Sequence, residues 1–307
     1  MTYPRGSDKC DISVELLKEA RKKRCVVTVL IVYGDESSDQ KRNRIYAVVG
    51  IIGTQEEWDN LEIKWIKRTG GKIFHAADCD SDQGDFKNNS HKDNKKLYID
   101  LTNILASSPL MGFGVAIDLK GFKINFPEMT NDDSYYYCFV RLLRYFANMT
   151  SYYLTKEKAK YIFHNNLDTS MNAATIFDFI AKIPEWNYKN YLSGIAFESS
   201  EKVGIQVADL FARETMKHFD NIFGPVQRPT RIPMQILRAT ERFKIDYSSK
   251  YDFENYLKQL DKDTAIKKED YDKWLKDNKI NDSASNKIRY LAYLDSIGFT
   301  IQFGDFN

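Results

Sequence analysis

The order of strand-like and helix-like segments along the chain predicts an α/β fold, a mixed sheet covered by helices. Residues 25–33 (CVVTVLIVY) form a continuous apolar, β-branched run, which is typical of a central strand buried on both faces. A second run, residues 45–53, follows a short polar turn, so these two strands are expected to pair antiparallel. The later strands are separated by helices, which favours parallel pairing.

The remaining elements follow from apolar periodicity and from Gly and Pro breakers. A polar, Gly-containing segment, residues 78–94, is predicted to be a surface loop. The other predicted elements are a lead-in helix at 12–24, helices at 55–68 and 92–106, a strand at 111–119, a helix at 133–154, a strand at 160–164, a helix at 170–182, a strand at 191–197 and a helix at 204–219. The sheet is therefore expected to have five strands.

Three units are predicted along the chain. Residues 1–24 form the lead-in helix, residues 25–235 the sheet domain and residues 236–307 a small helical appendage. The appendage shows helical periodicity rich in Lys, Asp and Tyr, without clustered His, Asp or Glu. We expect it to pack beside the sheet and to supply no metal ligand. It is a candidate surface for a second copy of the chain or for a partner protein.

Composition bounds the class of protein. The chain has 307 residues, 43% of them hydrophobic, and its 45 basic residues against 43 acidic ones give a net charge of +2. These values exclude disordered, collagen-like and coiled-coil classes, whereas the charge neither favours nor excludes nucleic acid. Scattered cysteines, no signal-like N-terminus and no apolar run long enough for a bilayer predict a cytoplasmic protein without membrane contact.

Acidic residues lie where an α/β sheet commonly binds ligands. Asp35 and Glu36 follow the most apolar strand, while Asp118 and Glu198 lie at the ends of later strands. Asp209 lies at the edge of the apolar face of a helix. Together they offer the hard oxygen ligands that Mg²⁺ or Mn²⁺ requires for phosphodiester cleavage.

Each of these acids also has a plain structural interpretation. The segment around Asp35 has the composition of a turn. Asp209 and Arg213 are spaced as a helical ion pair, and Asp118 or Glu198 alone is a polar residue that ends a strand.

Four segments carry a resemblance to a known family. They are YGDESS (33–38), KIFHAAD (72–78), GFGVAID (112–118) and FESSEKVGIQVADLFA (197–212). With them, residues 26–220 resemble a bacterial and phage family, catalogued as a domain of unknown function, of RNase H-like putative nucleases with DESG and QxADL motifs.

The resemblance implies an RNase H-like mixed five-stranded sheet with metal-binding acids on the first strand and the last helix. Carried over, Asp35 is the first-strand ligand, Asp209 is the helix ligand and Gln206 lies beside it as a substrate contact. The family often has an acid at the end of the fourth strand, where this chain has His164 and Asn165. An imidazole can still bind Mn²⁺ and Asn can supply a carbonyl oxygen, but the site loses negative charge for Mg²⁺.

His75 and a group of lysines complete the candidates. His75 is either a phosphate contact, a general acid or base, or a structural histidine. Lys72 is a candidate substrate contact. Further lysines that flank the acidic loop are either phosphate contacts or solubilising charge: Lys87, Lys92, Lys95 and Lys96.

Two functions of different classes remain from the sequence. The first is a nuclease dependent on Mg²⁺ or Mn²⁺, in which Asp35, Asp209 and Glu198 hold the cations and the substrate is DNA, RNA or a hybrid. The alternative is a catalytically weakened RNase H-like module that binds nucleic acid or a partner protein, which the change at His164 favours. Nucleotide-binding glycine motifs are absent from the sequence, and Asp35 is followed by Glu36 and Ser37 rather than by the DxD arrangement expected of a phosphoaspartate phosphatase.

Overall fold

The structure is a computed structural model that describes residues 30–39, 43–127, 131–153, 158–165 and 191–254, with single residues between 170 and 181 and between 272 and 277. Its strands are β1 Leu30–Ser38, β2 Ile45–Thr54, β3 Met111–Asp118, β4 Ala159–His164, β5 Leu192–Glu198 and β6 Phe243–Ser248. They form one six-stranded sheet of order β5-β4-β1-β2-β3-β6. Of these six strands, only β2 runs against the others.

Helices cover both faces of this sheet. The described helices are α1 Gln55–Thr69, α2 Ala76–Ser81, α3 His91–Ala106, α4 Leu119–Asn125, α5 Asn131–Tyr153, α6 Val203–Phe223 and α7 Ile232–Ala239. On one face, α5 packs on alternate residues of β1 such as Val32. On the other face, α1, α3 and α6 pack on the intervening residues such as Ile31. The predicted mixed α/β class is therefore confirmed.

Local sequence explains the sharp boundaries of α1. The Thr54 hydroxyl accepts a hydrogen bond from Glu57 N at 3.2 Å, and the Glu57 carboxylate accepts one from Thr54 N at 2.8 Å. This reciprocal cap satisfies two backbone donors at the start of the helix. The helix ends at Gly70, whose φ of 64° is left-handed. Between these ends, Trp58 and Trp65 are buried, and they anchor α1 on the α6 face of the sheet.

The first strand runs further than the sequence predicts. Gly34 was expected to end it, but β1 continues through Asp35 and Glu36 to Ser38. Gly34 is needed for space: a Cβ there would lie 2.3 Å from Phe163 Cε1 on β4. The two acids consequently lie within the strand rather than in a turn after it. Residues 25–29 of the predicted strand lie outside the described residues.

The segment predicted as a surface loop, residues 78–94, contains helical structure. It includes the end of α2, a 3-10 turn at Gly84–Phe86 and the start of α3. Cys79 and Phe86 are buried against α3 and the core. The loop prediction was wrong because burial of these side chains outweighs the polar composition around them.

The five-strand prediction was also wrong, by one strand. Phe243–Ser248 forms β6, which pairs parallel with β3 inside the region predicted as a helical appendage. The appendage predicted from residue 236 therefore does not begin there, since 243–248 belong to the sheet. The lead-in helix (1–24), most of 170–182 and most of the tail after residue 254 lie outside the described residues.

Within the part of the chain that the structure describes, no helix is both long enough and apolar enough to cross a membrane.

Candidate functional site

The candidate site lies on the α6 face of the sheet, where β4 and β5 end beside Asp35 of β1. Gly34 pairs with Phe163, so the next residues, Asp35 and His164, are neighbours, and His164 in turn pairs with Glu198. Neighbours in register on parallel strands share a face and lie about 4.8 Å apart across the sheet. Asp35, His164 and Glu198 therefore form a row along one edge.

Asp209 reaches the same place from the helix above. It lies in the second turn of α6, which packs across β1. Asp35 is only 5% exposed and Asp209 only 9%. Burial, followed by the nearby Asp209 and Glu36 charges, raises the pKa of Asp35 to about 7 against the opposing hydrogen bond with His164. The two acids that the resemblance pairs are thus close enough for their charges to interact.

Each of these carboxylates uses one oxygen for hydrogen bonds within the protein. Asp35 Oδ1 accepts from Glu36 N at 2.8 Å and lies 3.4 Å from His164 Nδ1. Asp209 Oδ2 accepts from Ala76 N at 2.7 Å. Among the described residues, neither Asp35 Oδ2 nor Asp209 Oδ1 receives a hydrogen bond. One oxygen of each carboxylate therefore remains for a ligand.

Two histidines flank the acids. Asp35 raises the pKa of His164, chiefly through their hydrogen bond. His75 precedes α2, and its Nε2 lies 3.9 Å from Asp209 Oδ2. Its side chain is 53% exposed, so the imidazole can meet both Asp209 and a bound molecule. His75 and His164 thus belong to the site with Asp35 and Asp209, and we name these four residues the Asp35 cluster.

Asp78 is a neighbour of this cluster that the sequence analysis missed. Its Oδ2 lies 3.3 Å from His75 Nδ1. The spacing of three residues is the signal that could have found it, because positions i and i+3 meet on a helix. The i, i+3 spacing has this meaning only in a helix, and the segment from Asp78 onward was predicted to be a loop.

Gln206 was predicted as a substrate contact, and the structure gives it another role. Its Oε1 accepts from Trp65 Nε1 at 3.0 Å and from Phe74 N at 3.1 Å, while its Nε2 donates to Ser200 O at 2.9 Å. The side chain is 3% exposed. The substrate prediction is wrong because the amide is already used to hold the segment before His75 against α6.

Asp118 was predicted as a metal ligand and lies away from the cluster. The register runs from Asp35 through Val49 to Gly114, and Asp118 is four residues beyond Gly114. That offset is about 13 Å along β3, two strands away from β1. Asp118 instead caps α4, its Oδ1 accepting from Lys120 N at 3.0 Å. The ligand prediction for Asp118 is wrong because β3 extends further along the edge than β1 does at Asp35.

Glu36 was also predicted as a ligand. Successive side chains of a strand point to opposite faces, so Glu36 leaves β1 on the α5 face while Asp35 faces α6. Its backbone N–H donates to Asp35, and its charge still acts on Asp35. The role of Glu36 as a metal ligand stays a prediction.

The two other predicted substrate contacts lie near the cluster. Lys72 is exposed, three residues before His75. Asn165 follows His164; its N–H donates to Glu198 O at 2.8 Å and its Oδ1 accepts from Ser170 Oγ at 3.4 Å. Contact of either residue with a substrate remains a prediction.

The chemical types of these side chains suit a hard divalent cation, although their present positions do not form a complete coordination shell. Carboxylate oxygens with one or two imidazoles are acceptable to Mn²⁺ and less so to Mg²⁺. As the side chains stand, the described residues contain no group of three or more His, Cys, Asp or Glu that could hold a metal ion. Comparison of the chain with protein-family models, with curated proteins and with solved structures finds no match.

Proposed function

We propose that this protein is a divalent-metal-dependent nuclease that hydrolyses phosphodiester bonds at the Asp35 cluster. The single observation that carries the proposal is the convergence of Asp35 and Asp209, from distant parts of the sequence, as two buried interacting carboxylates. Each keeps one oxygen free of hydrogen-bond donors among the described residues.

The electrostatics of these two carboxylates favours a bound cation. Burying two carboxylates side by side is unfavourable, since burial and like charge both disfavour ionisation. Burial raises the pKa of Asp209 as it does that of Asp35. A cation between them would offset both costs, which is why paired buried acids at a cleft favour metal binding.

The residues can be given roles on this basis. Asp35 and Asp209 hold the cation, with His164 and Glu198 as further donors along the same row. A divalent ion there would supply an activated water and stabilise the leaving oxygen. His75, half exposed beside Asp209, is placed to exchange a proton with a group at the cleft.

The RNase H-like type belongs to the same proposal. A mixed sheet with one acid on its first strand and another on a helix packed over it is what the resemblance implies, and β1 and α6 have that relation. β6 is an addition to the five strands that the resemblance implies.

One observation favours the alternative, a weakened module that binds nucleic acid or a partner protein without cleaving. His164 stands where the resembled family often has an acid, and its imidazole faces Asp35 Oδ1 at 3.4 Å. A protonated His164 partly neutralises Asp35 and so competes with a metal ion for it.

Cleavage assays with matched variants test the proposal. The 307-residue chain would be incubated with labelled single-stranded and duplex DNA, RNA and hybrid, with Mg²⁺ or Mn²⁺. We expect Asp35→Asn to lower the cleavage rate at least about 100-fold, because it removes a ligand charge at nearly constant shape. Asp59→Asn, on the exposed face of α1, should stay within about twofold of the parent.

Two results would decide against the nuclease. Equal cleavage by the parent and Asp35→Asn would remove the mechanism, since the residue that carries it would be dispensable. No cleavage by the parent with any substrate or metal, together with measurable nucleic-acid binding, would favour the weakened module.

A further inference from the structure

A wide groove lies at the same edge of the sheet as the Asp35 cluster, but at its other end. Strands β3 and β6 end beside the groove, and β2 begins beside it. Strand β1 ends at the same edge of the sheet. The groove has a volume of about 940 Å³, and α4, the end of α6 and the segment after β6 form its walls. We call it the basic-aromatic groove for the side chains described next.

Positive charge lines this groove. Four cations and one acid, Asp118, form part of its wall, and two of the cations have acidic partners: Arg44 lies 2.8 Å from Asp220, and Lys250 lies 3.4 Å from Glu254. The other two, Lys120 and Lys123, are exposed, and within the described residues neither makes an ion pair. These two lysines on α4 leave positive charge available to an anion.

Aromatic rings lie beside the lysines. Phe223 is 57% exposed, and its ring stacks on Tyr247 with centroids 4.6 Å apart and planes 12° apart. Phe219 also stacks on the Tyr247 ring, with centroids 4.7 Å apart, and so helps to hold that ring in place. Tyr251, also in the groove wall, is 72% exposed. The groove thus presents two exposed rings, one of them held rigidly by stacking.

The helix α6 connects the groove to the Asp35 cluster. It carries Asp209 in its second turn and Phe223 at its last residue, 14 residues apart. At 1.5 Å per residue the two lie about 21 Å apart. That length corresponds to about six phosphates at the spacing of one duplex strand. A polymer seated in the groove could therefore continue along the edge of the sheet to Asp35.

We propose that the basic-aromatic groove binds single-stranded nucleic acid, with phosphates against Lys120 and Lys123 and bases stacked on Phe223 and Tyr251. Cations that follow the backbone and exposed rings that stack on bases are the two components of single-strand binding. A duplex keeps its base faces stacked inside and cannot use the rings. This inference deepens the proposed function. Binding of the strand does not depend on that function; only cleavage of the bound strand does.

Binding without catalysis gives the first test. Anisotropy of a labelled 20-nucleotide single-stranded DNA, the same RNA and the matching duplex would be measured with the 307-residue chain in EDTA. We expect both single strands to bind at least about tenfold more tightly than the duplex. Lys120→Glu with Lys123→Glu should weaken single-strand binding at least about tenfold. The slope of log affinity against log salt should fall by about 1.4, since each lost phosphate contact contributes about 0.7.

A control with the same charge change separates the groove from net charge. Lys64 and Lys67 are exposed on α1, away from the groove. The double change of both to Glu should leave binding within about twofold of the parent. An equal loss in both double variants would show that only net charge matters and would overturn the proposal.

The rings are tested by substitutions that keep or remove the aromatic face. Tyr251→Ala should weaken single-strand binding about 5-fold or more, since one base stack contributes roughly 1–3 kcal/mol, whereas Tyr251→Phe should bind as the parent does. Ile63→Ala removes an exposed apolar side chain of α1 and should have no effect. Unchanged binding by Tyr251→Ala together with Phe223→Leu, or equal affinity for the duplex, would overturn the proposal.

The two proposals can fail separately. Groove-dependent binding by a parent that never cleaves would support the groove and defeat the nuclease. Cleavage by a parent whose groove variants bind normally would do the reverse.

Discussion

Two groups of acids lie beside α6, and they differ in how their charge is balanced. The first is the Asp35 cluster. The second, which we call the arginine cluster, joins Asp80 and Glu214 to Arg213, Arg231 and Tyr98. Arg231 Nη2 lies 2.6 Å from Asp80 Oδ1 and 3.1 Å from Glu214 Oε1, and Arg213 Nη2 lies 3.1 Å from Asp80 Oδ2. Tyr98 donates to Glu214 Oε1 at 2.8 Å.

The balance of charge sets the acids apart. Burial favours a higher pKa for Asp80, but hydrogen bonds from Arg231 and Arg213 outweigh it and lower that pKa. Asp35 and Asp209 have no guanidinium hydrogen bond within the described residues, and burial raises both of their pKa values. Glu214 is an intermediate case: burial raises its pKa, although the charge of Arg231 opposes the change. The charges of the arginine cluster are therefore largely balanced within it, whereas Asp35 and Asp209 have histidines but no guanidinium as hydrogen-bonded or ion-pair partners among the described residues.

Arg213 makes this contrast specific. Its position four residues after Asp209 suggests a helical ion pair, the plain interpretation of Asp209 from the sequence. In the structure its guanidinium donates to Asp80 instead. Asp209 therefore lacks the i, i+4 hydrogen bond with Arg213, because Asp80 on α2 accepts that hydrogen bond in its place.

The largest effect is expected from breaking the arginine cluster. Arg231→Gln would leave the buried Glu214 and the half-buried Asp80 without their main cation, and loss of one partner of a buried ion pair typically costs about 3–5 kcal/mol. Urea unfolding would measure the change in the free energy of unfolding. Arg238→Gln, at an exposed position of α7, is the control and should cost less than about 0.5 kcal/mol. A cost for Arg231→Gln as small as that of the control would show that the cluster does not stabilise the fold.

The next effect is stabilisation of the Asp35 cluster by a metal ion. Adding Mn²⁺ at about 100 times its dissociation constant should raise the free energy of unfolding by about 2.7 kcal/mol. Asp209→Asn should remove this gain, whereas Asp59→Asn should keep it. Differential scanning fluorimetry with EDTA and Mn²⁺ measures the shift. An undiminished Mn²⁺ shift in Asp209→Asn would place the ion elsewhere.

The same contrast shows what sequence can predict. Asp35 and Asp209 became candidates because apolar runs and helical periodicity place both beside the core, and the motif resemblance pairs them. The partners of Gln206 and Arg213 were missed, since they come from residues more than 130 positions away, Trp65 and Asp80. Such contacts depend on how α1 and α2 pack, which no local pattern contains.

Strand 6 illustrates the second kind of miss. FKIDYS is short and polar at alternate positions, and it lies within a region of helical composition. It becomes a strand because β3 offers a free edge and Phe243 packs on Phe211 of α6, with ring centroids 5.3 Å apart. Tertiary packing of this kind overrides weak local preference.

A smaller effect should appear in the pH dependence of stability without metal. The folded pKa of Asp35, about 7, lies above its ordinary value of 3.8, so folding favours the protonated acid. Its contribution is therefore lost as pH rises from about 4 to 7. His164 acts in the same direction, because its raised pKa stabilises the fold at low pH and the gain is lost as pH rises.

Asp35→Asn removes this titration and so separates the two clusters. In EDTA at pH 8 the variant should be more stable than the parent, on the order of 2 kcal/mol, and the difference should shrink toward pH 5. Thermal unfolding at several pH values measures it. A variant less stable than the parent at pH 8 would mean that the ionised Asp35 is already compensated, as Asp80 is.

The smallest effect concerns which metal the Asp35 cluster prefers. His164→Asp would restore an anionic oxygen beside Asp35, and Mg²⁺ depends on such oxygens more than Mn²⁺ does. The ratio of Mn²⁺-dependent to Mg²⁺-dependent cleavage should therefore fall by about tenfold, and Mg²⁺ should produce a larger thermal shift than in the parent. His91→Asp makes the same chemical change at an exposed helix start and should leave both readouts unchanged. An unchanged ratio and thermal shift in His164→Asp would show that position 164 tunes Asp35 without contacting the ion, because a ligand replaced by a harder one must alter the preference.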